Sequence, residues 1–170
     1  MEKKVTSPVV KGLIISLILI VISLIATFTD QNQSSWAKWV PTLILLGGII
    51  YSCNLFATQN DGNVTFGNVF AHGFKTGAVV TCLMIVFTVA IMLLMPSIKE
   101  QAMEAARLEM SKNDKLSEAD IEKSMGMIEN FLYVGVVGGI LVLYLIISVI
   151  AALIGAAIAR KNPNPTPFQQ

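Results

Sequence analysis

The chain has 170 residues, of which 54% are hydrophobic and 14% charged, with a formal net charge of +1. Soluble domains carry about a quarter charged residues, so this composition, with a mean hydropathy of +0.69, belongs in a lipid bilayer. A near-neutral chain without a basic stripe excludes nucleic acid as a partner.

Lys3, Lys4 and Lys11 lie in a short head, and an uncharged run rich in Leu and Ile follows from Gly12 to Phe28. A secretion signal has an apolar core of about 7 to 15 residues and a small-residue cleavage site. This run is longer and ends in Ala26-Thr27-Phe28-Thr29-Asp30, so it reads as an uncleaved first span over 9–28. At about 1.5 Å per residue such a helix crosses a core of about 30 Å.

A polar connection over 30–38 closes on Trp36 and Trp39, whose indoles suit the headgroup level. Pro41 is expected in the first turn of a second span, 40–57, with Gly47, Gly48, Ser52 and Asn54 as its small or polar members. Cys53 and Cys82 fall in apolar segments without metal-ligand or CxxC spacing and read as small buried hydrophobes.

Gln59-Asn60-Asp61-Gly62-Asn63 is a turn by composition, because Asn, Asp and Gly accept positive φ. Thr65 is a fair N-cap for a helix over 66–95 whose spanning part is 74–95. Its first turns sort into two faces, with Phe66, Val69, Phe70, Gly73, Phe74 and Gly77 on one and Asn68, His72 and Lys75 on the other. Gly73 and Gly77 form a GxxxG that lets another backbone approach.

Pro96 ends that helix. From 97 to 130 there are five cations against eight anions, the one sizeable water-facing stretch. Ser97-x-x-Glu100 and Ser117-x-x-Asp120 read as capping boxes opening two helices, with a turn over 112–115 between them. Ile121, Met125, Ile128 and Leu132 repeat at helical spacing into the last span. The expectation is an acidic extracytoplasmic helical hairpin whose second arm continues into span four, 131–159. That span carries Gly135, Gly139, Ala151, Gly155 and Ala159, and Arg160-Lys161 closes it. The Pro-rich segment 162–170 reads as a flexible tail.

The fold class is thus all-α: a polytopic membrane protein, one four-helix membrane domain over 1–170 with an extramembrane hairpin between helices three and four. Cations at span ends set orientation. Lys3, Lys4, Lys11, Lys75, Arg160 and Lys161 share one side, which places both termini in the cytoplasm.

Between their flanking charges the spans read as free of Asp, Glu, Lys, Arg and His, which argues against a proton-coupled transporter. No phosphate loop, HExxH or GxSxG occurs. The expectation is no enzyme, no cofactor and no metal. The acidic hairpin lacks the ligand alternation of a calcium loop. His72 with Asp61 and Lys75 is the one polar cluster near a membrane surface, and Asn54 is the most polar span residue.

Gly62, Val64, Thr65, Phe66, Gly67, Phe70 and Gly73 at the junction into span three, together with the span order, resemble a bacterial family of small four-span inner-membrane proteins, DUF4199-like, a domain of unknown function. The resemblance implies that architecture and an inner-membrane address, and no activity. The function expected is a non-enzymatic bundle that packs against a second copy or another membrane protein in the lipid bilayer. Its packing candidates are Gly73, Gly77, Gly135, Gly139 and Gly155. The alternatives are a channel or permease for a small neutral solute lined by Ser52, Asn54, Thr81 and Thr88, and a lipid-acting enzyme using His72 and Asp61.

Overall fold

A computed structural model describes residues 5–29, 31, 34–112 and 117–162. Its element order is α1 (Pro8–Phe28), α2 (Ser35–Gln59), α3 (Phe66–Leu94), α4 (Pro96–Ser111) and α5 (Glu118–Ile158). The protein is all-α. Four helices, α1, α2, α3 and α5, are long and apolar enough to cross a membrane, and α4 lies between the third and fourth of them.

Local chemistry sets the helix ends. The Ser7 hydroxyl accepts from the Val10 amide and Pro8 opens α1, a cap followed by a residue whose missing N–H costs nothing there. Thr65 caps α3 by accepting from the Asn68 amide at 3.2 Å. At the end of α2 the Gly62 amide donates to Ala57 O and the Asp61 amide to Thr58 O, the pairing of a Schellman motif, with Asp61 at φ 52° and Gly62 at φ 76°.

Two boundaries differ from expectation. Helix α2 starts at Ser35, so Pro41 sits inside it instead of in its first turn; the missing N–H leaves the Ala37 carbonyl without its helical donor. Ser97 does not cap α4. The helix begins one residue earlier, at Pro96, whose fixed φ suits the first helical position, and its N-cap Met95 makes no side-chain bond. The Ser117 box, in contrast, closes reciprocally: Ser117 Oγ and N both donate to Asp120 Oδ2, and the Asp120 amide donates back to Ser117 Oγ. Of the expected 112–115 turn, residues 113–115 lie outside the described residues, as do Lys3, Lys4 and positions 163–170 of the expected tail.

The chain divides into two compact units. One holds Met1–Met84 with Val142–Gln170. Its core is Leu19 of α1, Leu45, Ile49 and Cys53 of α2, Val69 and Val80 of α3, and Ala151, Ala152 and Ala156 of α5, all buried. Small residues let these helices approach. A Cβ on Gly155 would lie 2.7 Å from Cys53 Cβ, one on Gly12 2.7 Å from Val79 Cγ1, and one on Gly73 or Gly77 would collide with Cys53 Sγ or the Ser148 side chain. The apolar residues that remain exposed, among them Leu13, Leu17, Val21 and Ile25 of α1, suit acyl chains.

The other unit is Ile85–Leu141. It contains α4, which buries no residue, and an ion pair between Lys99 and Glu129 at 3.2 Å ties α4 to the charged start of α5.

Candidate functional site

The first unit buries a group of polar side chains, among them Lys11 and His72, which sequence reading placed beside the spans. Because Ser7 and Pro8 start α1, Lys11 is the fourth residue of that helix, and it falls on the inward stripe with Ile15 and Leu19. Its Nζ lies 3.1 Å from His72 Nε2 of α3 and donates to Ser52 O of α2 at 3.3 Å. Both Lys11 and His72 are only 6% exposed. The Phe56 ring stacks on the imidazole, centroids 4.2 Å apart, and the ammonium lies 5.9 Å from the same ring. Three helices thus meet on one amine.

The hydrogen-bond inventory orders the rest. Thr76 donates its single hydroxyl proton to His72 O at 2.9 Å, so in the 3.1 Å contact between Ser52 Oγ and Thr76 Oγ1 it is Ser52 that donates. An ammonium has donors only. Where Lys11 carries its ammonium, Nε2 accepts from it and the imidazole is neutral with its proton on Nδ1; a doubly protonated pair would set two donors against each other. Among the described residues, no buried side-chain nitrogen or oxygen lacks a partner.

This corrects two readings. Lys11, read as a charge flanking the first span, is a residue of α1 turned inward onto His72 of α3. The two faces assigned to α3 also shift: Val69, His72, Gly73, Thr76, Gly77 and Val80 are buried, whereas Asn68 and Lys75 are exposed and Phe66 is 44% exposed. In lipid an apolar face has no reason to turn inward, and polar side chains gain by turning away from the chains.

His72, Asp61 and Lys75 do not gather. His72 is held by Lys11, Lys75 faces outward, and Asp61 sits in the α2–α3 turn. Asn54 turns back on its own helix, donating to Ile50 O at 3.2 Å. Gly73, Gly77 and Gly155 pack inside the first unit, whereas a Cβ at Gly135 or Gly139 would meet no atom within 4 Å among the described residues. Sequence reading counted Lys11 as a charge flanking the first span, although the Ser7-Pro8 start signal places it a full turn inside the helix.

A second polar group lies at the end of the first unit. Thr6 and Gln59 exchange two hydrogen bonds, Thr6 N to Gln59 Oε1 at 3.0 Å and Gln59 Nε2 to Thr6 Oγ1 at 2.9 Å. The Asn162 amide donates to Gly62 O at 2.8 Å. Lys161 Nζ donates to Ala156 O at 2.5 Å and lies 5.2 Å from the Phe66 ring centroid. Between the turn and the C-terminal segment is a groove of about 390 Å³ lined by Ala57, Thr58, Asp61, Gly62, Arg160, Lys161 and Asn162. Among the described residues no three His, Cys, Asp or Glu side chains gather into a metal-binding group.

A family described as a protein of unknown function (DUF4199) matches over residues 11–161. No curated protein and no solved structure matches the chain.

Proposed function

The chain belongs to the DUF4199 family of proteins of unknown function, and from that premise we propose that it is a non-enzymatic inner-membrane bundle that acts by packing against a partner helix within the bilayer. The observation that carries this reading is the division of labour along α5. Gly155 is filled from within the first unit, while a Cβ at Gly135, Gly138 or Gly139 would meet no atom within 4 Å among the described residues. They follow an apolar groove of about 450 Å³ lined by Met127, Ile128, Phe131, Leu132, Gly135 and Val136. Small residues that admit a second backbone are what helix association in lipid uses, and the first partner to test is α5 of a second copy.

The interior of the first unit supports the same reading over a solute path. Ser16, Thr76, Thr81 and Ser148 each donate to the carbonyl four residues back, so these hydroxyls offer no free donor to a solute. Both termini are placed in the cytoplasm, with the acidic 97–130 segment as a hairpin outside, by the cations at the span ends.

Gly139→Leu tests the proposal. The variant is expected to keep its thermal midpoint in detergent and to lose the dimeric cross-link that the wild type is expected to give in native membranes. Wild-type and variant migrating alike, or a selective solute flux from liposomes holding the protein, would overturn it.

A further inference from the structure

We propose that the contact between Lys11 and His72 is a latch that acid opens: a second proton on the pair parts the start of α1 from α3. The latch lies wholly within the first unit and rests on neither the orientation nor the partner helix proposed above.

Three helices build it. Lys11 Nζ of α1 stands 3.1 Å from His72 Nε2 of α3 and donates to Ser52 O of α2 at 3.3 Å. The Phe56 ring covers one side of the imidazole, with centroids 4.2 Å apart. Amine and imidazole are each 6% exposed, so little water stands ready to replace a hydrogen bond that the pair gives up.

Counting protons shows that the contact fails in one direction only. When the amine is neutral, an imidazole carrying its proton on Nε2 donates to the amine lone pair, and an amine N–H still reaches Ser52 O. When the amine is an ammonium, it donates to Nε2 of an imidazole with its proton on Nδ1. Both states close the same contact. A further proton makes both nitrogens donors, leaves neither a lone pair for the other, and sets two positive charges against each other in a weakly polarisable interior.

The surroundings offer the second charge no counter-ion. From α2 the Cys53 thiol faces the pair, and it is turned to Val69 O at 3.7 Å. In α3 the next titratable group is Lys75, three residues on and itself a cation. From α5, Ala152 and Ser148 pack at Gly73 and Gly77, and neither titrates. Among the described residues of the first unit the one carboxylate is Asp61, in the α2–α3 turn. Two buried cations without an anion strongly oppose the closed contact.

The place of the latch decides what moves. Lys11 is one turn into α1, and beyond it the seam to α3 is the close apolar approach of Gly12 to Val79, where a Cβ would lie 2.7 Å from Cγ1. Thr6 is tied separately to Gln59 of α2 by two hydrogen bonds. Opening therefore frees the first turns of α1 from α3 while the N-terminal segment stays on α2.

The test follows hydrogen exchange by mass spectrometry on the full-length protein in detergent, from about pH 10 to about pH 4, across the amine and imidazole ranges. Protection factors remove the intrinsic pH dependence of exchange. Protection over 9–16 and 70–76 is expected to fall about ten-fold at the acid end, the worth of one charge-assisted hydrogen bond, while 151–158 and the alkaline end stay level. His72→Gln keeps an acceptor for the ammonium and takes no proton, so its protection should be flat. Lys11→Met, which removes the second cation, should be flat as well. Thermal midpoints at neutral pH check the folding of both variants, and the wild-type profile decides by itself if either fails to fold. Level wild-type protection down to the acid end, a loss of equal size at the alkaline end, a loss spread evenly over all the helices, or an undiminished acid response in a folded His72→Gln would each overturn the proposal.

Discussion

Lys11 and His72 show how a single residue's placement changes the reading of a whole span. An amine that seemed to mark the wet side of α1 is turned into the bundle and held by an imidazole and a carbonyl. Removing one partner of a buried charged contact is far worse than removing the charge itself. His72→Ala, which leaves the ammonium with Ser52 O alone among these acceptors, is expected to cost about 3 kcal/mol. Lys11→Met should stay within about 1 kcal/mol of wild type; thermal unfolding in detergent measures both. A second residue-scale prediction concerns Gly62. At its φ of 76° any side chain is strained, and a methyl group would press on the Asn162 nitrogen at 3.0 Å. Gly62→Ala should cost about 1–2 kcal/mol and raise amide exchange at Asn162, whereas Asp61→Asn should be silent in the same assay.

At the scale of elements, α5 carries the sharpest contrast. Gly155→Leu must overpack against Cys53 and Ile50 and should lower stability by about 3 kcal/mol, while Gly139→Leu should not. The start of the same helix has its own signature. The Ser117 hydroxyl and amide hold the Asp120 carboxyl below the usual carboxylate range. That group's support of the helix is therefore present above its unfolded pKa and lost as pH falls through the lowered one. Ser117→Ala should move the Asp120 titration back up, as followed by NMR.

These elements also show what could be read beforehand. The Asn-Asp-Gly turn and the Ser117 box were legible because each depends on a few neighbouring residues and their backbone geometry. The span count was legible because crossing lipid demands length. Which face of α3 looks inward was not, because the surrounding medium is as apolar as the core and hydrophobicity alone cannot orient the helix. Phe66 outward and His72 inward are the result. Ser97 lost to Pro96 for a local reason: two start signals one residue apart compete, and the fixed φ of proline won.

For the whole molecule, the account rests on four crossings with both ends and the α2–α3 turn at one side. Thr6 bonded to Gln59 and Asn162 bonded to Gly62 bring the N-terminal segment, that turn and the C-terminal segment to one end of the first unit, as an even number of crossings requires. Family membership over residues 11–161 agrees with a domain that includes all four apolar helices. The most direct measurement is a set of dual topology reporters fused after Asn60, Glu104 and Asn162. Cytoplasmic signal is expected at the first and third and periplasmic signal at Glu104; cytoplasmic signal at Glu104, or opposite sides for Asn60 and Asn162, would contradict a four-crossing bundle with both ends inside.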